Sequence, residues 1–430
     1  MTRARLLGLA TACLAAFAGA CGDRQDAPIR IGVITSCGTL WAPFSEPMRA
    51  AAALPLLARG ATLAGERPSA GVAGAAVGDR KVELVFACSD GTTADVVGKS
   101  RQLVERSGAG IVVGGLTPSE GLALQAVARQ RRETAFLVVG NAQAATLHEP
   151  ARNLFRFSSD AAQWMAGLGS HAYRELGWRR VALVADRNPF GYAQSAGFVA
   201  EFCSLGGRVV QRVWPPPETA DFTHVVARVR DDVDGVVLAA GLITPGFLDA
   251  YRAGGELADR VVVGGGGLGD PGIVEALGAR ARGIVSAGPL PLDIATPAWT
   301  AYRARAERTF PSLPLTTHGL AVPYYVAVEA AMRALSAVGG DLSDRQHRFR
   351  RALASLRMDA PGGAVRLDEN RQAIAPNYVT RIGTGTPAHR TIRSIADVDQ
   401  SFGGLFRTDG APASRTHPGC SAGEPPPWAR

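Results

Sequence analysis

The segment Thr117-Pro118-Ser119-Glu120 has the residue types and spacing best suited to binding an anion. It follows a β-branched run, residues 111–113, and two glycines, so it predicts a helix that begins where a buried strand ends. Thr117 and Glu120 have the spacing of a capping box, and Pro118 suits the first helical position. A helix N-terminus presents backbone N–H groups and the positive end of the helix dipole, which suit a ligand carboxylate. An ordinary capped helix that binds nothing would show the same pattern.

Other motifs that could carry chemistry are weaker. Gly264, Gly266 and Gly269 fit the G-x-G-x-x-G spacing of a dinucleotide-binding loop, the one feature that would favour an NAD-dependent enzyme. The match lies late in its block, however, and no acidic residue stands about twenty residues further on. Ser195 lacks the flanking glycines of a nucleophile elbow, and neither the histidines nor the cysteines have metal-ligand spacing. The sequence therefore predicts a protein that is not an enzyme, with no cofactor and no metal site.

Length and composition favour a globular protein of two domains. The chain has 430 residues, which is enough for two hydrophobic cores. Its formal net charge of +8 comes almost wholly from arginine, since Lys81 and Lys99 are the only lysines. The arginines are scattered rather than clustered with aromatic residues, so we do not expect nucleic-acid binding.

The N-terminus predicts export. Arg3 and Arg5 precede an apolar run that is too short to span a bilayer comfortably and is typical of a signal peptide, residues 1–20. The run ends in Ala18-Gly19-Ala20-Cys21, which resembles a bacterial lipobox apart from Ala18. We therefore expect Cys21 to be lipidated and to anchor the mature chain to the cell envelope. An ordinary signal peptidase would also accept this site, and the chain would then be freely secreted.

Export permits disulfide bonds between the remaining cysteines. Cys37 and Cys88 follow the first and second predicted strands, and neighbouring parallel strands would place the two loops together. We therefore predict a Cys37–Cys88 disulfide. Cys203 and Cys420 are left as a second pair that would join the tail to the body, an assignment that the sequence alone does not fix.

Apolar runs and helical patterns alternate along two successive blocks of similar size. Predicted strands of the first block cover residues 29–35, 81–87, 111–114 and 134–139, and those of the second cover 181–185, 208–214, 235–239 and 261–264. Residues 61–79 are predicted to form a loop. Three helices between residues 296 and 356 and a hairpin over 364–382 complete the pattern. Alternation of this kind is typical of α/β proteins whose parallel sheets carry helices on both faces.

Several motifs in this order resemble the type I periplasmic binding proteins, specifically the branched-chain amino-acid group of ABC-transporter solute-binding lipoproteins. The resemblance covers residues 29–382. Its motifs are Ile31-Gly32-Val33-Ile34-Thr35, Cys88-Ser89-Asp90, Val113-Gly114-Gly115-Leu116-Thr117, Phe155-Arg156-Phe157-Ser158-Ser159-Asp160 with Gln163, and Asp186-Arg187-Asn188-Pro189-Phe190-Gly191.

The resemblance implies two Rossmann-like lobes with parallel sheets, joined by a hinge of three crossings near Phe157, Ile284 and Met358. The expected divisions are an N-terminal linker at 21–28, lobe I at 29–157 plus 284–358, lobe II at 158–283 plus 359–382, and an irregular C-terminal tail at 383–430. The ligand would lie between the lobes, at the carboxyl ends of the strands, and its binding would favour a closed form.

The resemblance also implies the ligand-binding residues. In the first lobe these would be Thr117, Pro118, Ser119, Gly140, Asn141 and Ala142 around a ligand carboxylate, with Trp41 or Phe44 as an apolar wall. In the second lobe they would be Phe190, Tyr192, Leu242 and Gly266.

Two of these positions depart from the family pattern. Gly266 stands where amino-acid binders carry an acid for the ligand ammonium, and Ala142 replaces a common threonine. The nearest acid is Asp270, and Glu120 or Asp186 is a possible substitute.

These features predict the extracytoplasmic solute-binding component of an ABC importer. The protein would be a monomer that captures a small polar solute, an amino acid or a related carboxylate or amide, and delivers it to a membrane permease. The alternative hypothesis is a ligand-sensing lipoprotein of a signalling system.

Overall fold

The computed structural model describes residues 27–38, 40–254, 260–383 and 389–430. The predicted signal peptide, Cys21 and most of the 21–28 linker lie outside these residues. The described chain forms two mixed, mostly parallel β-sheets, each covered by helices, which confirms the predicted α/β class. Across the same ranges, no helix is both long and apolar enough to cross a membrane.

The first sheet contains seven strands in the order β2-β3-β4-β1-β5-β6-β7. The strands are β1 Ile29–Ser36, β2 Thr62–Leu63, β3 Val72–Val77, β4 Arg80–Ser89, β5 Ala109–Gly114, β6 Ala135–Val138 and β7 Leu154–Phe155. Strands β4, β1, β5, β6 and β7 are parallel, so their carboxyl ends share one edge. The predicted loop at 61–79 is wrong, because it contains β2 and β3, which pair antiparallel at the edge beyond β4. Small alanine and glycine side chains in β3 conceal its alternating pattern.

The second sheet contains nine strands. They are β8 Arg180–Ala185, β9 Arg208–Val213, β10 Gly235–Ala239, β11 Val262–Gly264, β12 Val285–Gly288, β13 Arg357–Ala360, β14 Gly363–Leu367, β15 Ala373–Ile382 and β16 His389–Val398. The order is β13-β14-β15-β12-β11-β10-β8-β9, with β16 paired to β15. Strands β8 to β12 are parallel, whereas β13 to β16 join them through antiparallel pairs.

Helices connect the strands and cover both sheets. They are α1 Ala42–Leu57, α2 Thr93–Arg101, α3 Pro118–Gln130, α4 Ala144–Leu147, α5 Leu168–Ser170, α6 Pro189–Ser204, α7 Thr223–Val226, α8 Thr244–Ala253, α9 Pro271–Leu277, α10 Pro297–Thr309, α11 Val322–Ala337 and α12 His347–Ser355. Trp299, Tyr324 and Phe349 place α10, α11 and α12 in the core of the first sheet. The first lobe is thus built from two separate parts of the chain.

Two predicted lobe boundaries need correction. Residues 285–288, assigned from the sequence to lobe I, form β12 inside the second sheet, so the chain leaves that sheet after Gly288 rather than at Ile284. This run is short and flanked by glycine, and it therefore has the composition of a connector. The third boundary falls inside β13, whose Met358 is buried in the first-lobe core while β13 extends the second sheet through β14.

The predicted irregular tail is also wrong in part. Residues 389–398 form β16, a ten-residue strand along β15. Its exposed positions mix polar and apolar residues, with Ile392 exposed beside Arg390 and Ser394, so the apolar alternation of a strand is weak. The chain beyond β16 returns to the second lobe, where Cys420 is disulfide-bonded to Cys203 and the Trp428 indole N–H donates to Glu201 at 3.2 Å.

Candidate functional site

The end of β5 and the start of α3 form the centre of the candidate site. Gly115 has a φ of 75°, and a Cβ there would lie 2.8 Å from the Leu124 side chain, so this turn requires glycine. The Glu120 N–H donates to Thr117 Oγ1 at 3.3 Å, and the Thr117 N–H donates to the Glu120 carboxylate at 3.0 Å. This reciprocal pair confirms the predicted capping box.

The capping box restricts the donors that α3 can offer to a solute. Glu120 Oε2 accepts the Thr117 N–H and also the Ser36 hydroxyl at 2.8 Å, while Pro118 has no N–H. Ser119 is exposed, and among the described residues nothing accepts a hydrogen bond from its N–H or hydroxyl. The Thr117 hydroxyl uses a lone pair in the cap and keeps its proton to donate. An anion would therefore meet one backbone N–H and two hydroxyls.

The loop after β6 lies directly against this turn. A Cβ on Gly140 would lie 2.1 Å from the Gly115 carbonyl oxygen, so the two backbones touch and exclude a side chain. A Cβ on Gly121, in the first turn of α3, would lie 3.7 Å from the Ala142 Cβ. The amide oxygen of Asn141 is buried without a partner among the described residues. The structure therefore brings the predicted first-lobe residues of both loops together at one edge of the sheet.

A buried arginine holds the loop after β6 through hydrogen bonds to its backbone. Arg156 is fully buried and donates to the carbonyl oxygens of Gly140 at 3.1 Å and Ala142 at 2.7 Å. Its guanidinium also bonds Gln372, which lies between β14 and β15 where the chain returns to the second sheet. Arg156 thus connects the candidate site to the hinge. From the sequence, Arg156 was named only as part of a family motif and this role was missed, although an arginine between two phenylalanines is an unusual feature.

Asp160 is the counter-ion of Arg156. The two side chains are both fully buried, with 3.7 Å between Asp160 Oδ2 and the guanidinium, and Asp160 Oδ1 accepts the N–H groups of Ala162 and Gln163 at 2.9 Å each. Burial raises the pKa of Asp160 to about 6 and lowers the pKa of Arg156 to about 10. The pair therefore fixes the hinge geometry and is not available to a solute.

Trp41 and Phe44, one of which was expected to form an apolar surface beside the ligand, lie on the first-lobe side. Trp41 is half-buried at the start of α1, and both Trp41 and Phe44 pack on the first-lobe core. The Phe44 ring centroid lies 4.8 Å from that of His318, which precedes α11. This histidine was not selected from the sequence.

The second-lobe side is formed by the loops after β8, β10 and β11. Phe190 packs edge-on against Trp164 at 5.7 Å, and a Cβ on Gly241 would lie 3.4 Å from the Phe190 ring. Leu242, in the same loop, is 53% exposed. Tyr192 instead packs against Trp214, with 5.2 Å between centroids. The structure therefore groups Phe190 with the loop that carries Leu242, and it gives Tyr192 a different partner.

Gly266 cannot be replaced by the acid of amino-acid binders without moving its neighbours. Its φ is +56°, and a Cβ there would lie 2.6 Å from the Ala240 carbonyl oxygen and 3.0 Å from the Phe190 ring. Positive φ values are strained for residues with a side chain. The absence of a carboxylate at this position is therefore built into the backbone of the loop.

Three acids could replace the missing carboxylate at position 266, and all three accept hydrogen bonds from other groups of the protein. Asp186 accepts the backbone N–H groups of residues 241–243 at 2.8, 3.3 and 3.2 Å. Burial raises the pKa of Asp186 although these bonds oppose the rise. Asp270 bonds His318 at 2.9 Å, and Glu120 is held in its capping box with its second oxygen buried.

The glycine motif does not form a dinucleotide-binding loop. Residues 266–269 form a 3-10 turn, and α9 begins only at Pro271. The Asp270 carboxylate accepts the Ile273 N–H and so caps this helix, at the end where a pyrophosphate would need free N–H groups. Among the described residues, no three histidine, cysteine or acidic side chains are grouped as a metal site would require.

The two candidate edges face each other across the lobes. Helix α3 contacts α6, which follows β8, and His318 of the first lobe reaches Asp270 of the second. Cys37, directly after β1, and Cys88, near the end of β4, are disulfide-bonded with their Cα atoms 5.8 Å apart. The arrangement places hydrogen-bond donors on the first-lobe side and the apolar side chains of Phe190 and Leu242 on the second-lobe side.

Comparisons with known proteins agree with this architecture. A family model described as "Periplasmic binding protein" matches residues 28–387. A Leu/Ile/Val-binding protein homolog from Brucella melitensis is 24% identical over 392 residues, covering 87% of this chain and 92% of the relative. An ABC transporter substrate-binding protein from Sphaerobacter thermophilus has a TM-score of 0.77 at 24% identity, covering 87% of this chain and 99% of its own. A solute-binding protein of an ABC transporter from R. palustris, in complex with benzoate, has a TM-score of 0.71 at 20% identity, covering 86% and 98%.

Proposed function

Because the chain belongs to the periplasmic binding protein family, we propose that it is the extracytoplasmic solute-binding component of an ABC importer. It captures a solute between its lobes as a monomer and delivers it to the permease. Binding shifts the lobes towards a closed form, and the permease recognises that form. The signal sequence and Cys21 would export the chain and anchor it to the cell envelope as a lipoprotein.

The solute is a carboxylate that carries an apolar body and no ammonium group. Its carboxylate lies at the start of α3, where the Thr117 and Ser119 hydroxyls and the Ser119 N–H converge beside the β6 loop. Trp41 and Phe190 contact its body. The observation that carries this proposal is the second-lobe wall, where Gly266 excludes a side chain and the nearby acids are engaged. An unpaired ammonium buried there would cost more than an unpaired neutral polar group, for which the cost is roughly 2–7 kcal/mol.

Relatives with similar folds support this choice. Besides the benzoate complex, a solute-binding protein from R. palustris in complex with 4-hydroxybenzoate has a TM-score of 0.76 at 19% identity. Benzoates combine a carboxylate with an aromatic body and lack an ammonium group, as the proposed solute does.

A thermal-shift screen of the mature, non-reduced protein tests the proposal. The panel contains aromatic acids, aliphatic acids, amino acids, amides and sugars. A ligand of the native state adds about 2.7 kcal/mol of stability at a hundredfold excess over its dissociation constant. We expect the largest shifts from acids without an ammonium group. Shifts confined to amino acids or sugars would contradict the proposed solute class.

Uptake by cells tests the transport role. Deleting the gene should abolish high-affinity uptake of the solute found in the screen, and restoring it should recover uptake. Unchanged uptake with loss of a transcriptional response to that solute would instead favour the sensing lipoprotein.

A further inference from the structure

One hydrogen bond joins the lobes directly across the cleft. His318 Nε2 lies 2.9 Å from Asp270 Oδ2, and the two side chains are 10% and 27% exposed. His318 precedes α11 in the first lobe, whereas Asp270 precedes α9 in the second. The two residues are therefore far apart in sequence and meet only in this arrangement of the lobes.

The first lobe fixes the imidazole of His318. The Leu320 N–H donates to Nδ1 at 3.1 Å, so the proton of a neutral imidazole resides on Nε2. The ring packs on Phe44 with 4.8 Å between centroids. These two contacts orient the imidazole so that its Nε2–H points at the second lobe.

The second lobe fixes the carboxylate of Asp270 in the same way. Its Oδ1 accepts the Ile273 N–H at 3.0 Å and caps α9, which leaves Oδ2 for His318. Burial alone would raise the pKa of Asp270, but the His318 hydrogen bond and charge and the Ile273 N–H bring it below its ordinary value. The carboxylate is therefore ionised at neutral pH and is a strong acceptor.

We propose that the His318–Asp270 pair is an interlobe latch that stabilises the closed form of the cleft beside Phe44. The inference rests on the proposed function, in which a solute increases the population of a closed form, and the latch maintains part of that population before any solute binds. Each partner is held by its own lobe, so the bond forms only when the lobes approach and costs little further ordering. The latch also engages the acid nearest to Gly266 with a side chain of the protein, so this acid does not pair with a ligand ammonium.

Small-angle X-ray scattering without added solute tests the latch. His318→Ala removes the donor and should raise the radius of gyration above that of the wild type. His318→Gln retains a side-chain N–H and should restore the smaller value. His347→Ala removes an exposed histidine of the first lobe and serves as the matched control, with no expected change.

Asp270→Asn provides a second test that preserves the size of the side chain. The single amide oxygen can accept from His318 or from Ile273 but not from both, and the neutral amide is a weaker acceptor than the carboxylate. This variant should therefore weaken the latch and open the cleft less than His318→Ala does. Both variants should bind the solute found in the screen about tenfold more weakly, the loss expected for one hydrogen bond to a charged group. Circular dichroism and melting temperature establish that each variant is folded.

The latch fails if folded His318→Ala and Asp270→Asn both keep the wild-type radius of gyration. The scattering result does not depend on any solute. Variants that open, together with a screen that yields no ligand, would support the latch and contradict the proposed function. Variants that keep the wild-type radius of gyration, together with a screen that yields a carboxylate ligand, would contradict the latch and support the proposed function.

Discussion

The two sides of the cleft differ in which polar groups they leave free for a solute. On the first-lobe side, the start of α3 leaves hydroxyl and N–H donors uncommitted, and its one carboxylate, Glu120, completes the capping box. On the second-lobe side, Asp186 and Asp270 are turned inward to hold backbone N–H groups and His318. Under the proposed function, the first lobe binds a negative group, while the second lobe presents no free carboxylate to the solute.

The largest effect is expected from placing a carboxylate on the second-lobe side, at Gly266. Gly266→Asp combines a positive φ with a Cβ 2.6 Å from the Ala240 carbonyl oxygen. We expect it to lower the free energy of unfolding by about 2–5 kcal/mol, the sum of left-handed strain and overpacking. It should not create amino-acid binding.

Gly278→Asp is the matched control for this variant. Gly278 has a φ of +54° in the same lobe, but a Cβ there has nothing within 4 Å. It should therefore cost only the strain of its φ +54°, ψ −126° backbone, about 1–3 kcal/mol in urea unfolding. Equal losses for the two variants, or a stable Gly266→Asp protein that binds amino acids, would show that the backbone does not exclude the acid.

A smaller effect is expected from removing the donors of the first lobe. Thr117→Ala combined with Ser119→Ala should weaken solute binding by more than tenfold, because two hydroxyl groups would no longer donate to the carboxylate. Isothermal titration calorimetry with the best ligand of the screen gives the dissociation constants.

Thr92→Ala controls for the loss of a helix cap. Thr92 caps α2 in the same lobe by accepting the Asp95 N–H at 3.2 Å, and it plays no part in the candidate site. The variant should lose about 1 kcal/mol of stability and retain its affinity. An unchanged affinity in the double variant would remove the proposed carboxylate site.

The smallest effect concerns two buried glutamates, one in each lobe. Burial raises the pKa of Glu201 in the second lobe, despite bonds from Ser170, Gly167 and Trp428. Between its ordinary value of about 4.3 and this higher one, the folded protein binds a proton that the unfolded chain has released. Its contribution to stability therefore increases as the pH falls from 7 towards 4.3.

Glu329 in the first lobe should behave in the opposite way. Burial would raise its pKa, but the guanidinium groups of Arg59 and Arg333 outweigh burial and bring the pKa below its ordinary value. Its contribution is fully present above about pH 4.3 and is lost as the pH falls through the lower value.

Urea unfolding of the wild type, Glu201→Gln and Glu329→Gln at several pH values from about 7 to about 3 measures both contributions, because the Glu329 contribution is lost only below about pH 4.3. The stability difference between wild type and Glu201→Gln should grow as the pH falls, and that for Glu329→Gln should shrink. Parallel pH profiles for the two variants would contradict the assigned environments.

Much of this organisation could be predicted from the sequence. The capping box at Thr117 follows from local spacing, and the parallel strands of both lobes follow from apolar runs that alternate with helical segments. Local patterns also explain why the start of α3 was selected as the centre of the site.

Other features depend on contacts between distant segments, which sequence patterns do not show. Strands β3 and β16 carry small or polar residues, and they are strands because β4 and β15 offer edges to which they can pair. Arg156 and His318 act through partners that are remote in sequence, Gln372 and Asp270. A buried arginine between aromatic residues was a visible signal, whereas the partner of His318 was not.

The most direct test of the central claim compares two ligands that differ only by an ammonium group. Titration calorimetry with 3-phenylpropanoate and L-phenylalanine keeps the carboxylate and the ring constant. We predict that 3-phenylpropanoate binds at least tenfold more tightly, because the second lobe offers the ammonium no free acid. Tighter binding of phenylalanine, abolished by substituting Glu120, Asp186 or Asp270, would show that one of these acids faces the solute and would contradict the proposed division between the two lobes.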